Sequence, residues 1–138
     1  MKHTKATLLL TAALLLLFGA CTTPPPVIPE NLSQPEFFQR AQEEADNYRW
    51  DNSLLYYQVF LDRFPDDLPN VLAARYEIAF INYKKERYPE AKQGFQALLE
   101  TYKDFPNPLS VPQWPRVLSQ KLIKIIDEKT AVPPPAAK

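Results

Sequence analysis

Cys21 is the only cysteine in the 138-residue chain, and its thiol is the strongest nucleophile the sequence offers. A single cysteine cannot form a disulfide within the chain, so the domain must be held together by core packing. Cys21 stands where an apolar run ends and a proline-rich segment begins. A thiol in this position has no evident packing role, which predicts that it is chemically modified at a membrane surface.

Residues 1–20 have the three parts of a secretory signal peptide. The segment opens on a basic stretch, continues through the apolar residues 6–18 and ends on the small residues Gly19 and Ala20. This apolar stretch is shorter than the roughly 20 residues that a membrane-spanning helix needs. The pattern therefore predicts a signal peptide that is removed after Ala20.

Residues 17–21 read Leu-Phe-Gly-Ala-Cys and resemble a bacterial lipobox, the site at which a lipoprotein signal peptidase cleaves. The resemblance implies that Cys21 carries a diacylglyceryl group, becomes the acylated first residue and anchors the protein in the bacterial cell envelope. Thr22 rather than aspartate follows the cysteine, which implies the outer membrane, on the side that faces the periplasm. Ordinary cleavage that leaves Cys21 as a free thiol is the alternative.

Removal of residues 1–20 would also remove most of the chemistry that the composition allows. His3 is the only histidine and a single glycine would remain, so no Ser-His-Asp arrangement, zinc site or glycine-rich phosphate loop can be built. The adjacent acidic pairs at residues 43–44 and 66–67 point apart on a helix or turn. We therefore expect no enzymatic activity, no cofactor and no metal ion. A glycan-acting envelope hydrolase that uses these carboxylates is a remote alternative.

Proline-rich segments flank the middle of the chain. Residues 21–32 hold the cysteine and four prolines, and they predict an extended, semi-rigid tether. Residues 129–138 contain a Pro-Pro-Pro run and predict a disordered tail. Without residues 1–20 the chain has 14 basic and 16 acidic side chains, which gives no basic patch for nucleic acid or for an anionic lipid face. The lipid anchor is therefore the expected link to the membrane.

Residues 33–128 show helical spacing of apolar side chains and no alternation that would indicate a strand. Five helices are predicted. The first starts at Ser33, where Glu36 completes a capping box, and the last runs from Trp114 to near Glu128. The side chains expected in the core are Phe60, Ala79, Phe95, Leu98 and Leu122. The apolar face expected for the fifth helix is Trp114, Leu118, Leu122, Ile125 and Ile126.

The two halves of this helical region align with a shift of 38 residues, which pairs Trp50 with Tyr88 and Ser53 with Ala91. Residues 78–95 resemble a tetratricopeptide repeat, with an aromatic residue at the turn, a small residue three positions on and an aromatic residue four positions later. The end of this unit resembles periplasmic helper lipoproteins, including the outer-membrane-assembly lipoprotein family. The resemblance implies an all-α fold over residues 33–128: a short α-solenoid of two tetratricopeptide-like helical hairpins plus a C-terminal capping helix.

We expect binding rather than catalysis, because stacked helical hairpins form a concave surface that suits an extended peptide or a helix. The first hypothesis is a lipid-anchored cell-envelope adaptor that binds another envelope protein or peptide, with no small-molecule substrate. The alternative is a structural subunit of an outer-membrane protein assembly complex. The resemblance implies that the first helix of each hairpin lines the binding surface. The candidate contact residues are therefore Arg40, Glu44, Tyr48, Arg75, Asn82 and Tyr83.

Replacing the thiol tests the anchor. For Cys21→Ala we expect complete loss of palmitate labelling, because the acyl chains that would hold the protein at the membrane then have no point of attachment. Metabolic labelling followed by immunoprecipitation measures it, with Thr23→Ala as the matched control. A Cys21→Ala protein that incorporates palmitate as well as the unchanged chain would contradict the proposed anchor.

Overall fold

The computed structural model describes residues 25–105 and 107–131, and all regular secondary structure in these ranges is helical. The five α-helices are α1, Gln34–Asp46; α2, Trp50–Arg63; α3, Leu68–Lys84; α4, Tyr88–Thr101; and α5, Trp114–Ala131. Two short 3₁₀ helices, Tyr102–Asp104 and Pro108–Ser110, lie in the link between α4 and α5. The predicted all-α class is confirmed for this part of the chain.

Several predictions fall outside the described residues: the signal peptide, the lipidated Cys21, the first part of the tether and residues 132–138 of the tail. Residues 25–32 of the tether contain no helix. Helix α5 ends at Ala131 rather than near Glu128, because no helix-breaking residue precedes the prolines that begin at 133.

The start of α1 follows the predicted capping box. The backbone N–H of Ser33 donates to Glu36 Oε2 at 2.8 Å, and Pro35 occupies the first turn, where its missing N–H costs nothing. Helix α2 ends at Arg63, two residues before Pro65, as the proline predicts.

Short turns join the first four helices, so neighbouring helices run antiparallel and pack into two hairpins, α1–α2 and α3–α4, with α5 packed on α4. The N-terminal core lies between α1, α2 and α3 and consists of Phe37, Ala41, Tyr56, Tyr57, Phe60, Val71, Ala74 and Ile81. The C-terminal core consists of Leu72, Tyr76, Ala79, Ala91, Phe95, Leu98, Tyr102, Val111, Leu122 and Ile126. The five side chains predicted for the core are all buried, which confirms that prediction.

The prediction for the buried face of α5 is wrong in part. Pro115, Ser119, Leu122 and Ile126 are buried, whereas Trp114 remains 43% exposed and Leu118 37% exposed. The predicted and observed faces share Leu122 and Ile126. The observed face also includes Pro115 and Ser119, each of which follows a predicted residue by one position, or 100° of helix rotation. Apolar residues lie on both faces, so their spacing alone could not choose between them.

The turns that close the two hairpins have the same backbone geometry at a spacing of 38 residues. Tyr48 and Glu86 both have φ of 58°, the left-handed region that side chains other than glycine seldom adopt. The following residues, Arg49 and Arg87, donate backbone hydrogen bonds of 2.9 Å to the carbonyls of Glu44 and Asn82, which are also 38 residues apart. The backbone conformation of the two turns therefore repeats at the same 38-residue spacing as the sequence alignment.

Gly94 is the closest point of approach between α3 and α4. A Cβ atom built at Gly94 would lie 2.9 Å from the Cβ of Ala79, inside ordinary van der Waals contact. A glycine is therefore required here to let the two helices pack at this distance.

We expect Gly94→Ala to lower the free energy of unfolding by about 1–2 kcal/mol, although alanine is the better helix former by about 1 kcal/mol, because overpacking outweighs that gain. Urea denaturation measures it, and Gln93→Ala, at an exposed site of the same helix, is the control. The double variant Gly94→Ala with Ala79→Gly should recover part of the loss in the free energy of unfolding. A loss in the double variant equal to the sum of the losses in the two single variants would contradict the proposed contact.

Candidate functional site

A cleft of about 320 Å³ opens between the C-terminal end of α1, the first turn, the N-terminal end of α2 and the second half of α3. This volume is at the lower end of the range of small-ligand sites, about 300–1,000 Å³. We call it the hairpin cleft. It is lined by Gln42, Ala45, Asp46, Tyr48, Trp50, Ser53, Tyr57, Glu77, Phe80, Ile81 and Lys84.

The turn between α1 and α2 positions the aromatic rim of the cleft. The left-handed conformation of Tyr48 leaves its side chain 78% exposed, edge-on to Trp50 with 5.7 Å between the ring centroids. The guanidinium of Arg49 donates to the Glu44 carboxylate, which also accepts from Asn52 Nδ2 at 2.9 Å. Through these two contacts, the Glu44 carboxylate ties α1 to the turn and to the first turn of α2.

The floor of the cleft consists of buried side chains, and its mouth is exposed. Ser53, Tyr57 and Ile81 are almost fully buried, while Asp46 and Lys84 are exposed. Ser53 Oγ is buried without a hydrogen-bond partner in the described part of the chain. Aromatic and apolar lining with a few polar groups is typical of a pocket that binds a small group.

Glu77 is the unusual charge of the cleft. It is partly buried, and within the described residues its carboxylate has neither a hydrogen bond nor an ion pair. Burial raises the pKa of the Glu77 carboxyl above its ordinary value, because desolvation disfavours the charged form. Burial and the neighbouring Glu77 charge together also raise the pKa of Tyr57.

The two other charged groups of the cleft lie at its mouth. Asp46 accepts a hydrogen bond from Gln42 Nε2 at 2.9 Å. Lys84 lies seven residues beyond Glu77 on α3, so the rise of the helix places it about 10 Å along the axis from Glu77. Glu77 is therefore the most buried of the three charged groups of the cleft, and the negative Asp46 and the positive Lys84 are exposed to solvent.

One of the six predicted contact residues, Tyr48, lines the hairpin cleft. Three others of the set make contacts within their own hairpin. Glu44 pairs with Arg49, and Arg75 Nη1 donates to Thr101 Oγ1 at 3.2 Å. Tyr83 is partly buried against the C-terminal core.

The remaining two predicted residues have local partners on their own helices. Arg40 lies 3.4 Å from the Glu43 carboxylate on the exposed side of α1, and Asn82 Nδ2 donates to the Ile78 carbonyl at 3.2 Å. Of the six predicted residues, therefore, only Tyr48 lines the hairpin cleft, and a binding role for the other five stays a prediction.

Sequence reasoning missed Trp50, Glu77, Phe80 and Lys84 as cleft residues. Glu77, Phe80, Ile81 and Lys84 follow the i, i+3, i+4, i+7 spacing of a single helix face, which was visible in the sequence. The available signal was Glu77 one turn before the apolar pair Phe80 and Ile81, because a carboxylate is seldom buried without a partner.

The adjacent carboxylates considered for hydrolysis have structural partners. Glu44 is paired with Arg49, and Asp67 accepts a hydrogen bond from Asn70 Nδ2 at 2.7 Å near the start of α3. Among residues 25–105 and 107–131, no three His, Cys, Asp or Glu side chains come together as metal ligands. No helix in the same ranges is both long and apolar enough to span a membrane.

A protein of Treponema pallidum (strain Nichols), described as uncharacterized, is 34% identical to the chain over 77 residues. The match covers 54% of this chain and 30% of that protein, so the chain spans less than a third of the length of that relative. No protein-family model matches the chain, and no solved structure matches it. The description of the relative names no activity, so function has to be argued from the cleft.

We expect Glu77→Gln to raise the free energy of unfolding near pH 7 by on the order of 1 kcal/mol, because the amide has no charge to desolvate. The pKa of Glu77 is higher in the folded than in the unfolded chain, so the folded protein binds this proton more tightly. The destabilising effect of the carboxylate is therefore present at neutral pH, and it fades as pH falls through the raised pKa.

Urea denaturation at neutral pH and at mildly acidic pH measures this difference. The other titratable groups of the cleft, Asp46, Tyr48, Tyr57 and Lys84, are unchanged in the variant. Glu90→Gln, at an exposed position of α4, is the matched control and should show no such pH-dependent gain. A Glu77→Gln protein less stable than the unchanged chain at neutral pH would mean that the carboxylate has a stabilising partner.

Proposed function

We propose that the protein is a lipid-anchored adaptor of the bacterial cell envelope, which binds another envelope protein through the hairpin cleft. The observation that carries the proposal is the cleft itself, an aromatic-rimmed opening that contains a carboxylate with no partner among residues 25–105 and 107–131. The resemblance of residues 17–21 to a lipobox supports the anchor at Cys21, and Thr22 after it supports the outer membrane, facing the periplasm.

We further propose that the helices form a short α-solenoid of two tetratricopeptide-like hairpins plus a C-terminal capping helix. The identical turns at Tyr48 and Glu86 support this, as does the burial of the small residues Ser53 and Ala91 at equivalent positions. In such arrays the first helices of the hairpins line the inner surface. Here these helices are α1 and α3, and both line the hairpin cleft. As part of this proposal, we propose that the repeat region is related to the outer-membrane-assembly lipoprotein family, which its sequence resembles.

The position of the tether supports access to the cleft. Arg63 Nη1 donates to the carbonyls of Pro29 at 2.8 Å and Glu30 at 3.3 Å, which fixes the tether at the C-terminal end of α2. The cleft lies at the opposite end of α2, beside Trp50, and the 14 residues of this helix span about 20 Å. A domain anchored through this tether would therefore direct the cleft away from the point of attachment.

A binding role is favoured over a catalytic one, because Glu44 and Asp67 are engaged in structural contacts.

The second candidate function, a structural subunit of an assembly complex, is favoured by the apolar row on α5. Val117 is 53% exposed beside Trp114 and Leu118, at spacings that would suit packing against a partner helix.

A photo-crosslinking amino acid in place of Tyr48 tests the adaptor proposal. We expect p-benzoylphenylalanine at this position to give a covalent adduct of one defined mass in living cells, because the side chain stands exposed at the mouth of the cleft. The same replacement of Gln96, exposed on the second helix of the other hairpin, is the control and should give none. Immunoblotting and mass spectrometry identify the adduct.

The same reagent in place of Val117 separates the two candidate functions. An adduct from the Val117 position but not from the Tyr48 position would favour the structural subunit and contradict binding through the cleft. Absence of adducts from both positions, in cells where the protein is labelled with palmitate, would contradict both candidates.

A further inference from the structure

We propose that the hairpin cleft binds an arginine side chain of an extended segment of the envelope partner, with Glu77 as the carboxylate that accepts the guanidinium. This inference rests on the proposed adaptor function and specifies what the cleft recognises.

Glu77 needs a cation that the described part of the chain does not supply. Its carboxylate is partly buried and has no donor within reach, an arrangement that is unfavourable in the free protein. A guanidinium placed in the cleft would provide charge-assisted hydrogen bonds to both oxygens, with the planar geometry that a carboxylate accepts in bidentate fashion. The volume of about 320 Å³ suits one long side chain rather than a helix.

The aromatic walls of the cleft favour arginine over other cations. Tyr48, Trp50 and Phe80 line the same cleft as Glu77, and a guanidinium can lie against an aromatic ring while it donates hydrogen bonds. A lysine ammonium is more strongly hydrated and lacks the planar fork, so it would gain less from the same walls.

In the second hairpin, a cation from the same chain already lies over the aromatic ring that corresponds to Trp50. Tyr88 corresponds to Trp50 in the 38-residue alignment, and the ammonium of Lys129 lies over the Tyr88 ring at 6.0 Å from its centroid. Helix α5 supplies that cation within the chain. No cation is described over the ring of Trp50, where the hairpin cleft is open.

The other charges around the cleft are compatible with this occupant. Asp46 adds a negative charge at the mouth, while the single positive side chain, Lys84, is exposed to solvent and screened by it. The carbonyl ends of α1 and α3 carry partial negative charge, of which the N-terminal end of α2 cancels only part.

Side-chain NMR of the two tryptophans tests the proposal directly. The full-length protein, purified in detergent, is titrated with N-acetylarginine amide, and the indole N–H signals are followed. We expect a saturable shift of the Trp50 signal, while the Trp114 signal, from a ring that packs on Tyr76 and does not line the cleft, serves as the internal reference. Assignment follows from Trp114→Phe.

The citrulline and lysine counterparts of the probe are the matched ligands. Citrulline keeps the shape of arginine without its charge, and we expect it to bind at least about tenfold more weakly. Glu77→Gln should weaken arginine binding by a similar factor, whereas Glu90→Gln should leave it unchanged. Equal shifts from arginine and citrulline, equal shifts from arginine and lysine, or no effect of Glu77→Gln would each overturn the proposal.

The crosslinking experiment separates this inference from the function on which it rests. The Tyr48 adduct in cells should lose most of its yield in the Glu77→Gln background and keep it in the Glu90→Gln background. An adduct with unchanged yield in Glu77→Gln would overturn the arginine inference and leave the adaptor function standing. No adduct in any background would remove the adaptor function itself.

Discussion

Helix α3 must be buried on two sides at once, and the rest of the domain depends on this constraint. Val71, Ala74 and Ile81 face the N-terminal core, whereas Leu72, Tyr76 and Ala79 face the C-terminal core. Both hairpins are therefore built on one shared helix. The strip between the two buried sides, which carries Glu77, Phe80 and Lys84, forms the wall of the hairpin cleft.

The two hairpin turns have one backbone geometry and different side chains. A left-handed residue costs about 1–2 kcal/mol when it is not glycine, so its presence at both Tyr48 and Glu86 indicates that each turn is fixed by its hairpin. In the second hairpin α5 covers the aromatic residue of the turn. In the first hairpin no described element does so, and the rings of Tyr48 and Trp50 remain at an open cleft.

Helix positions could be predicted from the sequence because their signals are local. The Ser33 and Glu36 capping box marks the start of α1, and Pro65 marks the end of α2. The 38-residue alignment was also readable, because it depends on the spacing of aromatic and small residues along the chain.

The sequence could not predict which face of α5 is buried or where the cleft lies. The apolar residues of α5 fit two faces, and α3 is apolar on almost every side, so helical spacing could not assign their contacts. The prediction of contact residues took polar side chains from the first helices. Glu44 and Arg75 have partners that only the packed structure reveals.

Glu77 is a partly buried carboxylate without a partner in the described part of the chain, and we propose that it accepts a cation. The most direct test is the pKa of the Glu77 carboxyl, followed by the ¹³C chemical shift of that carbon through a pH titration of the full-length protein. A pKa above the ordinary value of a glutamate carboxyl in the free protein, which falls when N-acetylarginine amide is added, is the predicted result. A pKa at or below that ordinary value in the free protein, unchanged by the arginine probe, would contradict the proposed role of Glu77.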